Sequence, residues 1–411
     1  MNINELQTLI STQKPNHTLD QAFYTDDSIF ELDLNNIFSK QWVFVGHSSR
    51  IPNSGDYFLF EIGNESIIII KDKNSNIYAH YNVCRHRGSK ICLEKEGNIN
   101  LLLCPYHAWS YNLDGSIRSA RLMNDDFKPD EWKLNSCNVK IFEGLIFINL
   151  SDNPASFEKF ISPTKEFIEL HGLSNAKIAY REIYPTYGNW KLTLDNFHEC
   201  YHCQPSHPEY CSVHDTDYIL AYGAGGGAGP ESEKFNKLLL DWNEKAKKLG
   251  HFVGEFSENE FNEFSRSAER TPLKAGKYNE TKTGKPIAKL MGNFKDYDCG
   301  YTSVGTSPFN SLLMCNDFAT LFTFIPKSTL ETDVELMWLV HKDAQEGKDY
   351  DLKKMIWMWD ETTLADKRII ENNQKGVNSR KYSPGPLSQM EKGVEKFKNW
   401  YLKHLDQALN V

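Results

Sequence analysis

The 411-residue sequence has no run of five or six basic residues. Lys and Arg are scattered and the net charge is −9. This argues against nucleic acid or an anionic membrane surface as the main partner. A long apolar run is also missing. The most apolar stretch, YFLFEIGNESIIII, is interrupted by Glu61 and Glu65 and is too short to cross a bilayer. At the N-terminus, MNINELQTLISTQK shows no basic segment followed by an apolar one, so no secretory leader is expected and the expected location is cytoplasmic. Cysteine is sparse as well. Nine over this length do not make a secreted disulfide framework, and cysteines close to histidines then read as metal ligands or buried thiols. There is no internal repeat and no extended low-complexity segment. What remains is an ordinary soluble composition, 40% hydrophobic and 25% charged, with length enough for two or three domains.

The texture changes along the chain. Residues 18–45 read as helical. From 45 to about 150 the signals are β: YFLFEIG and SIIIIKD flank a Gly-Asn turn, Asp114-Gly115 sits between two short strands, and KIFEGLIFINL bends at Gly144. SFEKFISPTKEFIEL reads as an amphipathic helix, and KLTLDNFHECYH as another. The glycine-rich stretch at 221–233 reads as a surface loop or lid. FATLFTFIPKS and TDVELMWLVHK are strands, and Lys353–Gln374 and VEKFKNWYLKHL are helices. The expected class is α+β, with an N-terminal helical segment (1–44), a small β domain (45–155) and a larger domain of sheet and helices (156–411).

Two constellations carry chemistry. The first is Cys84-x-His86 followed by Cys104-x-x-His107. Two Cys/His pairs on two hairpin-like loops can converge on one centre. Two cysteines and two histidines suit either a structural zinc or a Rieske [2Fe–2S] cluster, in which histidines replace cysteines on one iron. The second is NFHECYHCQPSHPEY, residues 196–210. It contains His198-Glu199-x-x-His202, the zinc-peptidase pattern. It also contains His202-x4-His207, two histidines that with one carboxylate would suit a non-haem iron(II) site. The carboxylate would come from far downstream, where Asp360 and Glu361 are candidates.

CRHRG and CPYHAW match the C-x-H-R-G and C-x-Y-H-x-W pattern of the Rieske domain in the ring-hydroxylating oxygenase family, which this region resembles. NWKLTLDNFHECYHCQPSHPE resembles that family's catalytic motif. The likeness places Glu199, His202 and His207 on motif positions and leaves His198 off them. WDETTLADKRIIENNQKGVNSR resembles the family's C-terminal helix, where Asp366, Glu371 and Gln374 fit the spacing. The resemblance thus implies Cys84, His86, Cys104 and His107 around a [2Fe–2S] cluster. It implies His202, His207 and Asp366 on a mononuclear Fe(II). Glu199, an Asp in many members, would link that iron to the cluster of a neighbouring subunit. Cys200 and Cys203 are expected to be packing residues.

The resemblance further implies an antiparallel-sheet catalytic domain of helix-grip type and a terminal oxygenase. Electrons would come from an NAD(P)H-dependent flavin/iron–sulfur reductase, and the assembly would be a homotrimer. The likeness is greatest to members acting on quaternary ammonium compounds such as glycine betaine, by hydroxylation of an N-methyl group and release of formaldehyde. Such a pocket needs aromatic faces around the cation; Tyr187, Trp190, Phe309, Phe318, Phe322, Phe324 and Trp338 are candidates. Aromatic-ring dioxygenation is the alternative with the same iron chemistry. A zinc peptidase using His198, Glu199 and His202 is the alternative of another class.

Overall fold

Ten strands occupy residues 43–149: β1 (Val43–His47), β2 (Asp56–Ile62), β3 (Glu65–Lys71), β4 (Ile77–Tyr81), β5 (Glu96–Asn98), β6 (Leu102–Leu103), β7 (Ser110–Tyr111), β8 (Ile117–Ser119), β9 (Asn138–Phe142) and β10 (Leu145–Asn149). This is a computed structural model, and it describes residues 1–216 and 230–410. Most of the 221–233 stretch read above as a loop or lid lies outside the described residues. The ten strands form three antiparallel sheets, ordered β1-β10-β9, β4-β3-β2-β5 and β6-β7-β8. Gly115 shows why the β7–β8 turn needs glycine. Its φ is +85°, and a Cβ there would lie 2.8 Å from Cε1 of His80.

Seven more strands make one antiparallel sheet: β11 (Ala176–Thr186), β12 (Glu255–Ser257), β13 (Ser267–Pro272), β14 (Gly300–Gly305), β15 (Asn310–Met314), β16 (Phe318–Ser328) and β17 (Glu331–His341). Their order is β11-β17-β16-β15-β14-β13-β12. β16 and β17 are apolar on both faces because both are covered. The long helix Leu352–Val377 packs on β11 and on the helix Trp190–Phe197, and the last helix, Lys392–Leu409, packs on that same short helix and on Ile3–Ser11.

A buried ion pair fixes this junction. Lys191 Nζ lies 2.5 Å from Asp33 Oδ2, and Trp190 Nε1 (2.9 Å) and Tyr401 Oη (2.8 Å) also donate to Asp33. All four side chains are buried, so the N-terminal segment, the short helix and the last helix share one polar knot within an apolar core.

Three expectations about helices need correction. SFEKFISPTKEFIEL is two short helices, Phe157–Ile161 and Lys165–Glu169, because Pro163 starts a 3₁₀ turn between them. Residues 18–45 are broken into Ala22–Thr25, Asp27–Asp33 and a π-turn at Leu34–Phe38. The helix begun at Trp190 ends at Phe197, so Glu199 to His202 lie in a turn. Among the described residues no helix is long and apolar enough to cross a membrane.

Candidate metal centres

Cys84 and Cys104 are buried at the roots of two tight loops. Gly88 N–H donates to Cys84 O (2.9 Å) and Cys84 N–H to Ser89 O (2.8 Å); Ala108 N–H donates to Cys104 O (3.1 Å) and Cys104 N–H to Trp109 O (2.8 Å). Gly88 (φ +78°) and Ala108 (φ +58°) turn the loops through left-handed backbone. Burial raises the Cys84 thiol, and neighbouring Cys104 also raises it. At the outer end the rings of His86 and His107 are 4.7 Å apart, and Trp109 stacks flat on His86 at 4.8 Å. The Tyr111 hydroxyl lies 3.3 Å from Cys84 Sγ and accepts from Arg85 N–H. Two thiols inside and two imidazoles toward solvent is a donor set that fits a [2Fe–2S] cluster of mixed ligation.

The second site is built from the segment after the Trp190–Phe197 helix and from the long helix. That short helix starts cleanly because Asn189 caps it, its side chain accepting from Lys191 N–H at 3.0 Å. Gln374 of the long helix in turn accepts from Asn189 N–H at 2.8 Å. One contact thus sets the register between the two elements that carry the site.

His202, His207 and Asp366 each bring one ligand atom within 4.8 Å of the others. Asp366 Oδ1 is 2.9 Å from His207 Nε2 and 3.3 Å from His202 Nε2, and Asn196 donates to it at 3.2 Å. Each imidazole has a carboxylate behind it. His202 Nδ1 is 2.5 Å from Glu199 Oε1, and His207 Nδ1 is 3.2 Å from Glu209 Oε1, which Thr362 also steadies at 3.0 Å. With Nδ1–H donated to a carboxylate, Nε2 is the nitrogen turned to the shared centre, where it would bind a metal once any proton it carries is lost. Burial lowers His202, but hydrogen bonds from its imidazole to Asp366 and Glu199 outweigh it and hold it up at about 9 when no metal is bound. Burial raises Asp366, and the two imidazoles more than reverse this, so the carboxylate sits below its ordinary range.

Asp360 points elsewhere, accepting from the Tyr184 hydroxyl at 2.5 Å. Glu371 accepts from Tyr187 N–H (3.2 Å) and meets Lys367. His198 stands apart from the three-ligand cluster. It packs against Phe397, and burial holds it down at about 4. Cys200 and Cys203, expected as packing residues, are instead joined to each other as a disulfide around His202.

A cavity of about 340 Å³ borders the three ligand residues. None of the seven aromatic residues proposed from the sequence lines it. Its aromatic wall is Phe197, Tyr210, Tyr301 and Trp359, with Glu269 among them. Tyr210 lies three residues after His207, a spacing that could have flagged it. Tyr301 and Glu269 had no local signal. Buried Glu280 organises the wall: it accepts from Trp359 Nε1 at 2.9 Å and from His214 Nε2 at 3.0 Å. The His214 ring stacks on Tyr210 at 4.2 Å and meets Tyr301 edge-on at 4.8 Å. Glu269 is exposed; partial desolvation, and then Glu255, raise its carboxyl.

Comparison with known proteins finds a family match over each of the two regions. A model of the Rieske [2Fe-2S] domain matches residues 41–140, and a model of the ring hydroxylating alpha subunit catalytic domain matches 173–407. The oxygenase subunit of glycine betaine monooxygenase from Pseudomonas aeruginosa is 34% identical over 401 residues, covering 97% of this chain and 91% of that protein. The oxygenase subunit of carnitine monooxygenase from Escherichia coli K12 is 38% identical over 201 residues, 47% of this chain and 53% of that one. A solved quaternary ammonium Rieske monooxygenase, described for carnitine oxidation and inter-subunit electron transfer, superposes with a TM-score of 0.72 at 23% identity, covering 96% of this chain and 97% of that one.

Proposed function

The chain belongs to the Rieske non-haem iron oxygenases of the ring-hydroxylating alpha-subunit family, a [2Fe–2S] and mononuclear-iron oxidoreductase, and on that premise we propose that it oxidises an N-methyl group of a quaternary ammonium compound. The observation that carries the proposal is one cavity holding the three ligand residues, three aromatic faces with polar handles and the carboxylate of Glu269. A cation over such faces gains about 0.5–2 kcal/mol from each, and Glu269 supplies the counter-charge. The relatives named for glycine betaine and carnitine point to the same substrate class.

In this reading Cys84, His86, Cys104 and His107 hold the cluster, and His202, His207 and Asp366 hold Fe(II). Iron held by those three residues would supply the O2-activating chemistry, and a cluster held by the four would supply the electrons. Glu199 and Glu209 orient the imidazoles, and Asn196 orients Asp366. The aromatic wall holds the cation so that a methyl group, not the chain beyond it, faces the metal. The balance is R–N(CH3)3⁺ + O2 + 2 electrons + 2 H⁺ giving R–N(CH3)2, formaldehyde, H2O and one H⁺; the hydroxylated methyl leaves as formaldehyde when the C–N bond breaks. The electrons come from an NAD(P)H-dependent flavin/iron–sulfur reductase. His107, exposed at the rim, suits delivery to a neighbouring subunit in a homotrimer, with Glu199 as the link.

A single turnover tests this. Iron-replete protein is chemically reduced, given O2 and offered betaines, carnitine, choline, stachydrine and aromatic acids. Formaldehyde with a product one methylene lighter is expected. A diol from an arene without formaldehyde overturns the substrate class and leaves both iron sites standing.

A further inference from the structure

A second cavity of about 280 Å³ adjoins the first, and Phe197, His198 and Ser303 line both. Its chemistry is the reverse of its neighbour's. Six serines, Asn310, His198, Arg266 and Lys396 line it, and no Asp or Glu does among the described residues. Arg266 is already neutralised, its Nε lying 2.5 Å from Glu258. Lys396 is not. Its Nζ has one hydrogen-bond partner among the described residues, Ser257 Oγ at 2.7 Å, and no carboxylate within ion-pair distance. It projects from the first turns of the Lys392–Leu409 helix, whose dipole adds positive potential at that end. The hydroxyls of Ser265, Ser267 and Ser311 make no hydrogen bond to a described residue, so they are free to donate.

His198, left over from the HExxH pattern, fits the same picture. Its Nδ1 is buried with no partner. Its ring lines both cavities, which leaves Nε2 as the nitrogen available to a ligand. Gly393 sets this packing. A Cβ there would come within 2.1 Å of the His198 carbonyl oxygen, so only glycine lets the last helix close on the end of the short one.

The two cavities also follow one sheet face. Glu269 pairs with Ser303, and Ser267 with Gly305, one pleat further on. Residues two apart on a strand are about 7 Å apart. An extended four-bond chain spans about 5 Å, so a nitrogen at the Glu269 end would leave a carboxylate three carbons away among the serines.

Resting on the quaternary ammonium reading, we propose that the serine-rich cavity around Lys396 and His198 is a carboxylate subsite. The substrate is then a zwitterion, its ammonium at Glu269 and the aromatic wall and its carboxylate at Lys396. Both charges are read, which orients the molecule and presents the methyl end to the metal.

The test is a binding measurement by calorimetry on the iron-replete protein, on K396M and on K396R. It uses three probes of one length: 4-(trimethylammonio)butanoate, its carboxamide, and 5,5-dimethylhexanoate, in which carbon replaces the cationic nitrogen. The cluster absorption reports that each variant is folded. K396M is expected to weaken the two carboxylates by about tenfold or more, to spare the carboxamide, and to be rescued by K396R. If K396M weakens all three alike, or neither carboxylate, the subsite is overturned. If the wild type binds the carboxamide as tightly as the zwitterion, the subsite falls and the quaternary ammonium reading stands. If only 5,5-dimethylhexanoate binds, and binds through Lys396, the subsite stands and the quaternary ammonium reading falls.

Discussion

Metal binding at the mononuclear site should expel a proton. His202 sits at about 9 without metal, because Asp366 and Glu199 both accept from its imidazole. A free imidazole sits near ~6.5. At pH 7 the metal-free site is therefore an imidazolium between two carboxylates, and a metal can take Nε2 only after the proton leaves. The sign follows. Below about 9 the proton competes with the metal, so apparent affinity rises with pH and flattens above that value. At pH 7, two units below, the penalty is about 100-fold, or about 2.7 kcal/mol. The same raised value stabilises the metal-free fold below ~6.5, and that contribution is lost as pH rises toward 9. Iron-depleted protein titrated with Co²⁺, a redox-stable stand-in, should release about one proton per metal near pH 7. Calorimetry in two buffers of different ionisation heat counts it. Glu199→Gln should bring His202 toward its ordinary range and shrink the release. Affinity flat between pH 7 and 8.5, with no proton released, would refute the reasoning.

Other outcomes follow from the same geometry. His207→Ala should remove one of three irons per chain and keep the cluster's absorption, whereas Cys84→Ser should abolish the absorption; metal analysis with spectra checks both, and the reverse pattern would sink the division into two centres. Glu209→Ala removes the acceptor behind His207 and should weaken metal binding about tenfold or more, read by chelator competition. Lys191→Met leaves Asp33 as a buried unpaired charge and should cost about 3–5 kcal/mol in chemical denaturation; a loss near zero would mean that Tyr401 and Trp190 alone satisfy it.

Much of the chemistry was legible in the sequence because its donors are local. Cys84 and His86, Cys104 and His107, and His202 and His207 each fall within one loop or turn, so the spacing alone puts each pair on one side of a centre. Apolar periodicity likewise carried the strands β16 and β17 and the two C-terminal helices. Pro163 was equally visible, and its interruption of a helix was the part of the local code that was misread.

What spacing cannot contain is which face of one element meets another. Asp360 and Asp366 are six residues apart on the long helix, so at 100° per residue they point in different directions. The docking of that helix against β11 and Asn189 turned Asp366 to the imidazoles and Asp360 to Tyr184. Tyr301 and Ser303 share a face by strand alternation, but Glu269 joins them only through the register of β13 with β14, and a slip of one residue would turn it to the other face. The sequence by itself determined which atoms could hold metal. The tertiary structure decided which carboxylate joined them and which side chains a substrate would meet, because both depend on rotation and register between segments far apart in the chain.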